Sequence, residues 1–163
     1  MSENVVLPQL YAPLFGAVSI NHRRSPFLGP PSEWDVLGSD ALLLTQRGER
    51  ILIGERFRRK KEYEHFNDIT IRWRSSMTGE VLEPHTLNCQ YFIYAYIDKD
   101  KKLLGKWWVL YPTKFLEMIR SDVVKAYEFR NGAEGGSIFR AFKPHDLEIR
   151  GCVYKHGIGP LEP

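Results

Sequence analysis

Two apolar segments joined by a short polar turn constrain the fold of this chain more than any other feature of its sequence. The first is Asp40-Ala-Leu-Leu-Leu-Thr and the second is Arg50-Ile-Leu-Ile-Gly-Glu-Arg-Phe-Arg. Between them lies Gln46-Arg-Gly-Glu, a polar, glycine-containing sequence typical of a tight turn. The pattern therefore predicts an antiparallel hairpin of residues 40–46 and 50–58.

The second segment carries an acid among apolar residues. Side chains at alternate positions of a strand share a face, so Glu55 shares its face with Ile51, Ile53 and Phe57. A carboxylate in such a place is costly unless it is paired or binds a metal ion. Asp40 can lie beside Glu55 across the hairpin. Two convergent carboxylates suit Mg²⁺ or Mn²⁺, so the hairpin is a candidate metal site.

The rest of the chain indicates an α/β or α+β domain with a mixed, largely antiparallel sheet flanked by helices. Alternating or continuous apolar runs predict further strands at 68–74, 91–97, 106–111, 138–142 and 147–154. Proline at the start of residues 112–120, followed by apolar residues at helical spacing, predicts a helix.

Length and composition place all of these predicted elements in one domain, residues 1–163. The 163 residues are 43% hydrophobic and 26% charged, which excludes wholesale disorder. Residues 1–33 are proline-rich and predict an N-terminal extension, with one short helix near 10–17, ahead of a sheet-based core at 34–163. No apolar run approaches the roughly 20 residues of a membrane span. Two cysteines and a start without basic residues predict a cytoplasmic protein with reduced thiols.

Charge is distributed unevenly along the chain. The net charge is only +3, but basic residues gather around the hairpin and the strand after it, as expected of a protein that approaches phosphates. The candidate nucleic-acid-binding residues are Arg58, Arg59, Lys60, Lys61, Arg72 and Arg74. Asp68 opens the strand at 68–74, where it either extends the metal site or caps a turn.

Other chemistries lack their local signatures. The sequence contains no P-loop, no Gly-x-Gly-x-x-Gly and no Gly-x-Ser-x-Gly. Cys89 is interpreted as a structural cysteine. Aromatic residues cluster between residues 91 and 111, where they could stack bases, but strand alternation directs half of them into the core and favours packing.

The span from Asp40 through Ile-Leu-Ile-Gly-Glu55 resembles the core of the PD-(D/E)XK nuclease superfamily, which includes restriction enzymes and Holliday-junction resolvases. The segment from Glu55-Arg-Phe-Arg to Asn67-Asp68-Ile-Thr-Ile-Arg72 is similar to uncharacterised bacterial and phage-type members, and the resemblance covers roughly residues 35–111. It implies a restriction-endonuclease-like mixed sheet and a metal ion held by Asp40 and Glu55.

The chain departs from this pattern in two places. Ser39 precedes Asp40 where the family has proline, and Phe57 occupies the position of the family's lysine. Phenylalanine cannot neutralise a phosphate. Arg56 and Arg58 point to the opposite face of a regular strand, unless a bulge at Gly54 re-aims them. Lys60 or Lys61 could otherwise replace the lysine.

These observations predict a Mg²⁺-dependent nuclease that acts on duplex or branched DNA and is compatible with a homodimer. Asp40, Glu55, Arg56 and Arg58 are its expected catalytic residues, and Asp40, Glu55 and Asp68 its metal ligands. Two alternatives stay open: a nucleic-acid-binding or accessory protein that has lost catalysis with the lysine, and a structural or protein-interaction domain.

Overall fold

A computed structural model of the chain describes residues 2–22, 40–59, 67–75, 78–79, 87–98, 103–130 and 137–162. These residues form a six-stranded mixed sheet, a three-stranded antiparallel sheet and helices. The fold is therefore mixed α/β, as the sequence predicts. Within these ranges, no helix has the length and apolar character required to cross a bilayer.

The chain begins with a helix of π type, Ser2–Tyr11, that leads into α1, Ala12–Phe15. The six-stranded sheet, called the main sheet below, contains β1 (Ala17–His22), β2 (Ala41–Thr45), β3 (Arg50–Arg59), β5 (Tyr91–Asp98), β6 (Leu103–Leu110) and β9 (Val153–Ile158). The smaller sheet contains β4 (Ile69–Ser75), β7 (Tyr127–Arg130) and β8 (Ser137–Phe142). Two more helices are α2 (Pro112–Ser121) and α3 (Pro144–Ile149).

The strand order of the main sheet is β1-β2-β3-β5-β6-β9. Its neighbours are antiparallel except β3 and β5, which are parallel. The predicted hairpin is confirmed, because β2 pairs with β3 and Leu43 lies opposite Ile51. The strands predicted at 91–97 and 106–111 are also confirmed as the antiparallel pair β5–β6.

Side chains of the main sheet alternate between two apolar layers, as the two-residue period of a strand requires. The first core layer joins the sheet to the N-terminal helix and includes Val6, Leu10, Tyr11, Ile53, Ile93 and Trp107. The second core layer joins the opposite face to the smaller sheet, α2 and α3, and includes Ile71, Phe92, Tyr94, Trp108, Phe115 and Leu147. The position of a residue along β3 or β5 therefore decides which layer it enters.

The N-terminal segment is built into the first core layer, although its composition predicts an extension. Leu10 and Tyr11 are fully buried, and β1 pairs with β2 at the edge of the main sheet. Apolar residues of this segment cover one face of β3 and β5, which would otherwise be exposed to water. Residues 23–33, which complete the predicted extension, and residues 34–39, at the start of the predicted core, lie outside the described residues.

The strand predicted at 147–154 is wrong in its first half. Residues up to Ile149 belong to α3, and β9 begins only at Val153. Pro144 occupies the first turn of this helix, where its fixed φ is favourable and its missing N–H is not needed. Leu147 is one of the buried residues of this helix, so its apolar side chain does not indicate a strand.

Candidate active site

Asp40 and Glu55 meet where the β2–β3 hairpin opens. The Asp40 N–H donates to the Ile53 carbonyl at 2.9 Å, and the Glu55 N–H donates to Asp40 Oδ2 at 2.7 Å. The Asp40 side chain thus replaces a backbone carbonyl and extends the ladder beyond the start of β2. Its second oxygen, Oδ1, has no hydrogen-bond partner among the described residues, and the residue is exposed.

Glu55 projects into the first core layer, as strand alternation predicts. Its side chain is only 8% exposed. Tyr11 donates its hydroxyl to Glu55 Oε1 at 2.5 Å, and His22 Nδ1 lies 3.5 Å from Oε2. A nearly buried carboxylate requires such partners, because its desolvation is otherwise uncompensated.

Tyr11 and His22 are functional candidates that sequence reasoning missed. Both come from the N-terminal segment, and Tyr11 is 44 positions from Glu55. An acid on an apolar face indicates that a partner is needed, but no sequence spacing identifies a partner from so distant an element. Only the packing of the N-terminal helix on β3 brings the phenol to the carboxylate.

Burial, reinforced by the Glu55 carboxylate and then by Asp40, raises the pKa of Tyr11 well above its ordinary value. The folded protein therefore holds this proton more tightly than the unfolded chain does. The resulting stability is complete below the ordinary tyrosine pKa of about 10 and is lost as the pH rises above that value. Burial raises the pKa of Tyr91 and Tyr96 as well, so these two tyrosines contribute to the same loss of stability at high pH.

Replacing Tyr11 with phenylalanine tests this contact. Because the Glu55 carboxylate loses a hydrogen bond, Tyr11→Phe should lower the free energy of unfolding at pH 8 by about 1.5–3 kcal/mol. It should also make the loss of stability above pH ~10 shallower than in wild type. Urea unfolding at several pH values measures both effects, with Tyr127→Phe, which removes an exposed hydroxyl, as the control. Identical curves for Tyr11→Phe and wild type would contradict the contact.

Gly54 allows close packing beside Glu55. A Cβ at this position would lie 3.1 Å from both Cys89 Sγ and Phe92 Cδ2, so a larger residue would crowd the β3–β5 pair. This pairing continues from Ile53 to Arg59 without a register shift, so the bulge considered at Gly54 does not occur. Burial raises the pKa of Cys89 to about 12, which keeps the thiol protonated, as expected of a structural cysteine.

Arg56 and Arg58 point away from Glu55. Arg56 Nη1 donates to the Thr70 carbonyl at 3.3 Å, and Arg58 Nη2 donates to Thr70 Oγ1 at 2.8 Å. Both guanidinium groups also lie over the Phe139 ring, at 5.6 and 5.9 Å. These two predicted catalytic residues therefore contact the smaller sheet and do not converge with the carboxylates. Phe57, on the face of Glu55, packs against the first core layer.

Asp68 lies on the opposite side of the main sheet from Glu55. Its carboxylate accepts a 2.6 Å hydrogen bond from Lys143, and its carbonyl accepts one from the hydroxyl of Tyr96, a residue of the second core layer. The structure therefore does not bring this predicted metal ligand to Asp40 and Glu55. Across the described ranges, no three His, Cys, Asp or Glu side chains are grouped as metal ligands.

The predicted nucleic-acid-binding residues are only partly described. Arg72 and Arg74 are exposed on β4, and the Arg74 guanidinium lies 5.6 Å from the Trp73 ring. The side chain of Arg59, together with Lys60 and Lys61, lies outside the described residues.

Comparisons with protein-family models, with curated proteins and with solved structures found no match for this chain.

Two carboxylates are a sufficient protein contribution to a Mg²⁺ site. This cation retains several waters and is commonly held by one or two carboxylates together with substrate phosphates. Asp40 is exposed and offers an Oδ1 with no hydrogen-bond partner among the described residues, and Glu55 offers a carboxylate whose position is set by Tyr11 and His22. The donor set therefore fits a hard cation, with no need for Asp68.

Proposed function

We propose that this protein is a metal-dependent nuclease that cleaves DNA phosphodiester bonds at the Asp40–Glu55 site. The hydrogen bond between the Asp40 carboxylate and the Glu55 backbone carries the proposal, because it joins two acids at the open end of one hairpin. The PD-(D/E)XK resemblance adds support, since its two expected ligands are these residues.

The chain's own groups would hold and orient the reacting components. Tyr11 and His22 contact different oxygens of Glu55 and so restrict the rotation of its carboxylate. Oδ2 of Asp40 accepts a hydrogen bond from the Glu55 backbone, and Oδ1 has no hydrogen-bond partner among the described residues. When bound, Mg²⁺ or Mn²⁺ would orient a water and stabilise the charge that develops on the phosphate.

A specific observation favours a second candidate, a DNA-binding protein without catalysis. Phe57 occupies the lysine position and packs into the first core layer, while Arg56 and Arg58 contact the smaller sheet. β3 therefore directs no cation toward the phosphate from these three positions. This candidate predicts salt-dependent DNA binding with neither cleavage nor a response to Mg²⁺.

Adding and removing Mg²⁺ separates the two candidates. A nuclease should gain about 2.7 kcal/mol of stability at one hundred times the Kd for the ion, which is roughly 5–10 °C in Tm for a chain of this size. It should cleave plasmid, linear duplex or branched DNA in Mg²⁺ or Mn²⁺ and stop in EDTA. A protein that binds DNA but shows neither effect is the non-catalytic module. One that also fails to bind DNA is a structural or interaction domain.

A further inference from the structure

Three tyrosines form an aromatic surface at one end of the main sheet, called the tyrosine platform below. Its members are Tyr91, Tyr111 and Tyr154. Ring centroids are 5.2 Å apart for Tyr91 and Tyr154, 5.5 Å for Tyr111 and Tyr154, and 6.2 Å for Tyr91 and Tyr111. Each ring therefore contacts the other two.

The platform lies in line with Asp40 across the sheet. Ala41, next to Asp40, is opposite Ile53 on β3, and Ile53 is beside Tyr91 on β5. The Tyr111 N–H then donates to the Cys152 carbonyl, which continues the row toward Tyr154. Because neighbouring strands are about 4.8 Å apart, Tyr91 lies two strand spacings, or about 10 Å, from the start of β2.

The platform also lies on the same face as Glu55. Tyr91 packs against the first core layer, into which Glu55 projects. A chain of ring contacts connects the two places: Tyr11, which bonds Glu55, is 6.4 Å from Phe15, and Phe15 is 5.0 Å from Tyr91. A run of packed rings therefore connects the platform to the candidate active site.

The platform differs from the buried aromatic residues of the main sheet because its rings are partly accessible. Phe92, Tyr94, Tyr96, Trp107 and Trp108 are buried, whereas Tyr154 is 43% exposed and Tyr91 and Tyr111 are half-buried. Among the described residues, the three hydroxyls have no hydrogen-bond partner. The exposed Lys114 places Nζ 5.3 Å from the Tyr111 ring centroid, so a cation stands beside the rings.

We propose that the tyrosine platform binds unpaired bases of a DNA strand whose phosphate backbone passes the Asp40–Glu55 site. Aromatic rings next to a cation suit this ligand, because bases stack on the rings and phosphates contact the lysine. Bases within a duplex are already stacked on each other, so stacking on the tyrosine rings would stabilise them less. The inference rests on the proposed function for its ligand class and restricts the substrate to single-stranded or branched DNA.

Fluorescence anisotropy in EDTA tests the platform without cleavage. The probes are a labelled oligothymidylate of about twelve nucleotides and a labelled duplex. Tyr154→Leu should weaken oligothymidylate binding about tenfold, or about 1.4 kcal/mol, as expected for the loss of one base–aromatic stack. It should change duplex binding much less. Tyr154→Phe keeps the ring and should bind as wild type does.

Tyr127→Leu is the matched control, because Tyr127 is also exposed and has Lys125 within 5.8 Å of its ring, but belongs to the smaller sheet. Equal weakening by Tyr127→Leu and Tyr154→Leu, or no weakening by Tyr154→Leu, would overturn the platform. So would a wild type that does not bind oligothymidylate. Tyr154-dependent binding by a protein inert in Mg²⁺ would support the platform while rejecting the nuclease. Mg²⁺-dependent cleavage together with oligothymidylate binding that does not depend on Tyr154 would support the nuclease and reject the platform.

Discussion

Replacing Asp40 with asparagine or Glu55 with glutamine is expected to reduce Mg²⁺-dependent DNA cleavage by more than about a hundredfold. Even the loss of a group that only supports a metal ligand typically costs about 10–100-fold, and each substitution would remove one of the two anionic ligands of the proposed site. Because the proposed ion would be held by both acids together, the double variant should be little worse than either single variant. Initial cleavage rates on plasmid or branched DNA measure the effect.

Folding should survive both substitutions. An asparagine oxygen at position 40 can still accept the bond from the Glu55 N–H, and a glutamine oxygen at position 55 can still accept from Tyr11. Both variants should lose most of the Mg²⁺-dependent gain in Tm. Asp122→Asn and Glu49→Gln change exposed acids outside the site and serve as controls. Wild-type cleavage by either site variant would exclude the two-carboxylate site.

Replacing Gly157 with alanine should be among the most destabilising single changes in β9. An added Cβ would lie 2.5 Å from Cζ2 and 2.9 Å from Cε2 of Trp107. Trp107 is 1% exposed and donates Nε1–H to the Gly159 carbonyl at 2.9 Å, so its indole cannot withdraw without breaking that bond. Overpacking of this kind costs about 1–3 kcal/mol in the free energy of unfolding, which urea titration measures.

A double-mutant cycle identifies the contact that makes Gly157→Ala destabilising. Trp107→Phe removes the second ring of the indole, to which Cζ2 and Cε2 belong, and should make Gly157→Ala less costly by about 0.5–3 kcal/mol. Lys155→Ala, at an exposed position of the same strand, should stay within about 0.5 kcal/mol of wild type. Strict additivity of the Gly157 and Trp107 changes would show that the indole is not the obstacle.

The parts of the fold that are predictable from the sequence depend on local interactions. Gln46-Arg-Gly-Glu forms the predicted turn, and the β2–β3 register places Leu43 opposite Ile51. Proline at the start of α2 and the apolar spacing of Phe115 and Ile119 identify that helix for the same reason. In each case the residues that predict the element lie within that element or directly next to it in the sequence.

Predictions about the site were limited by distance along the chain. Strand alternation correctly places Glu55 among apolar residues and Arg56 and Arg58 on the other face, because a strand has a fixed period. The partners of the candidate site residues come from distant parts of the chain. Both arginines contact Thr70, and Asp68 contacts Lys143. The contributions of β1 and of the N-terminal helix were missed, because proline-rich composition says little about long-range packing.

The sequence alone predicts a mixed sheet, a hairpin of residues 40–46 and 50–58, and an approach of Asp40 to Glu55 across that hairpin. These follow from side-chain period and turn chemistry, which act between residues close in the chain. Tertiary packing sets the contacts of Tyr11 and His22 with Glu55, the pairing of Asp68 with Lys143, and the clustering of three tyrosines at one end of the main sheet. Those contacts depend on which elements pack together, since a buried carboxylate requires a partner without specifying the segment that provides it.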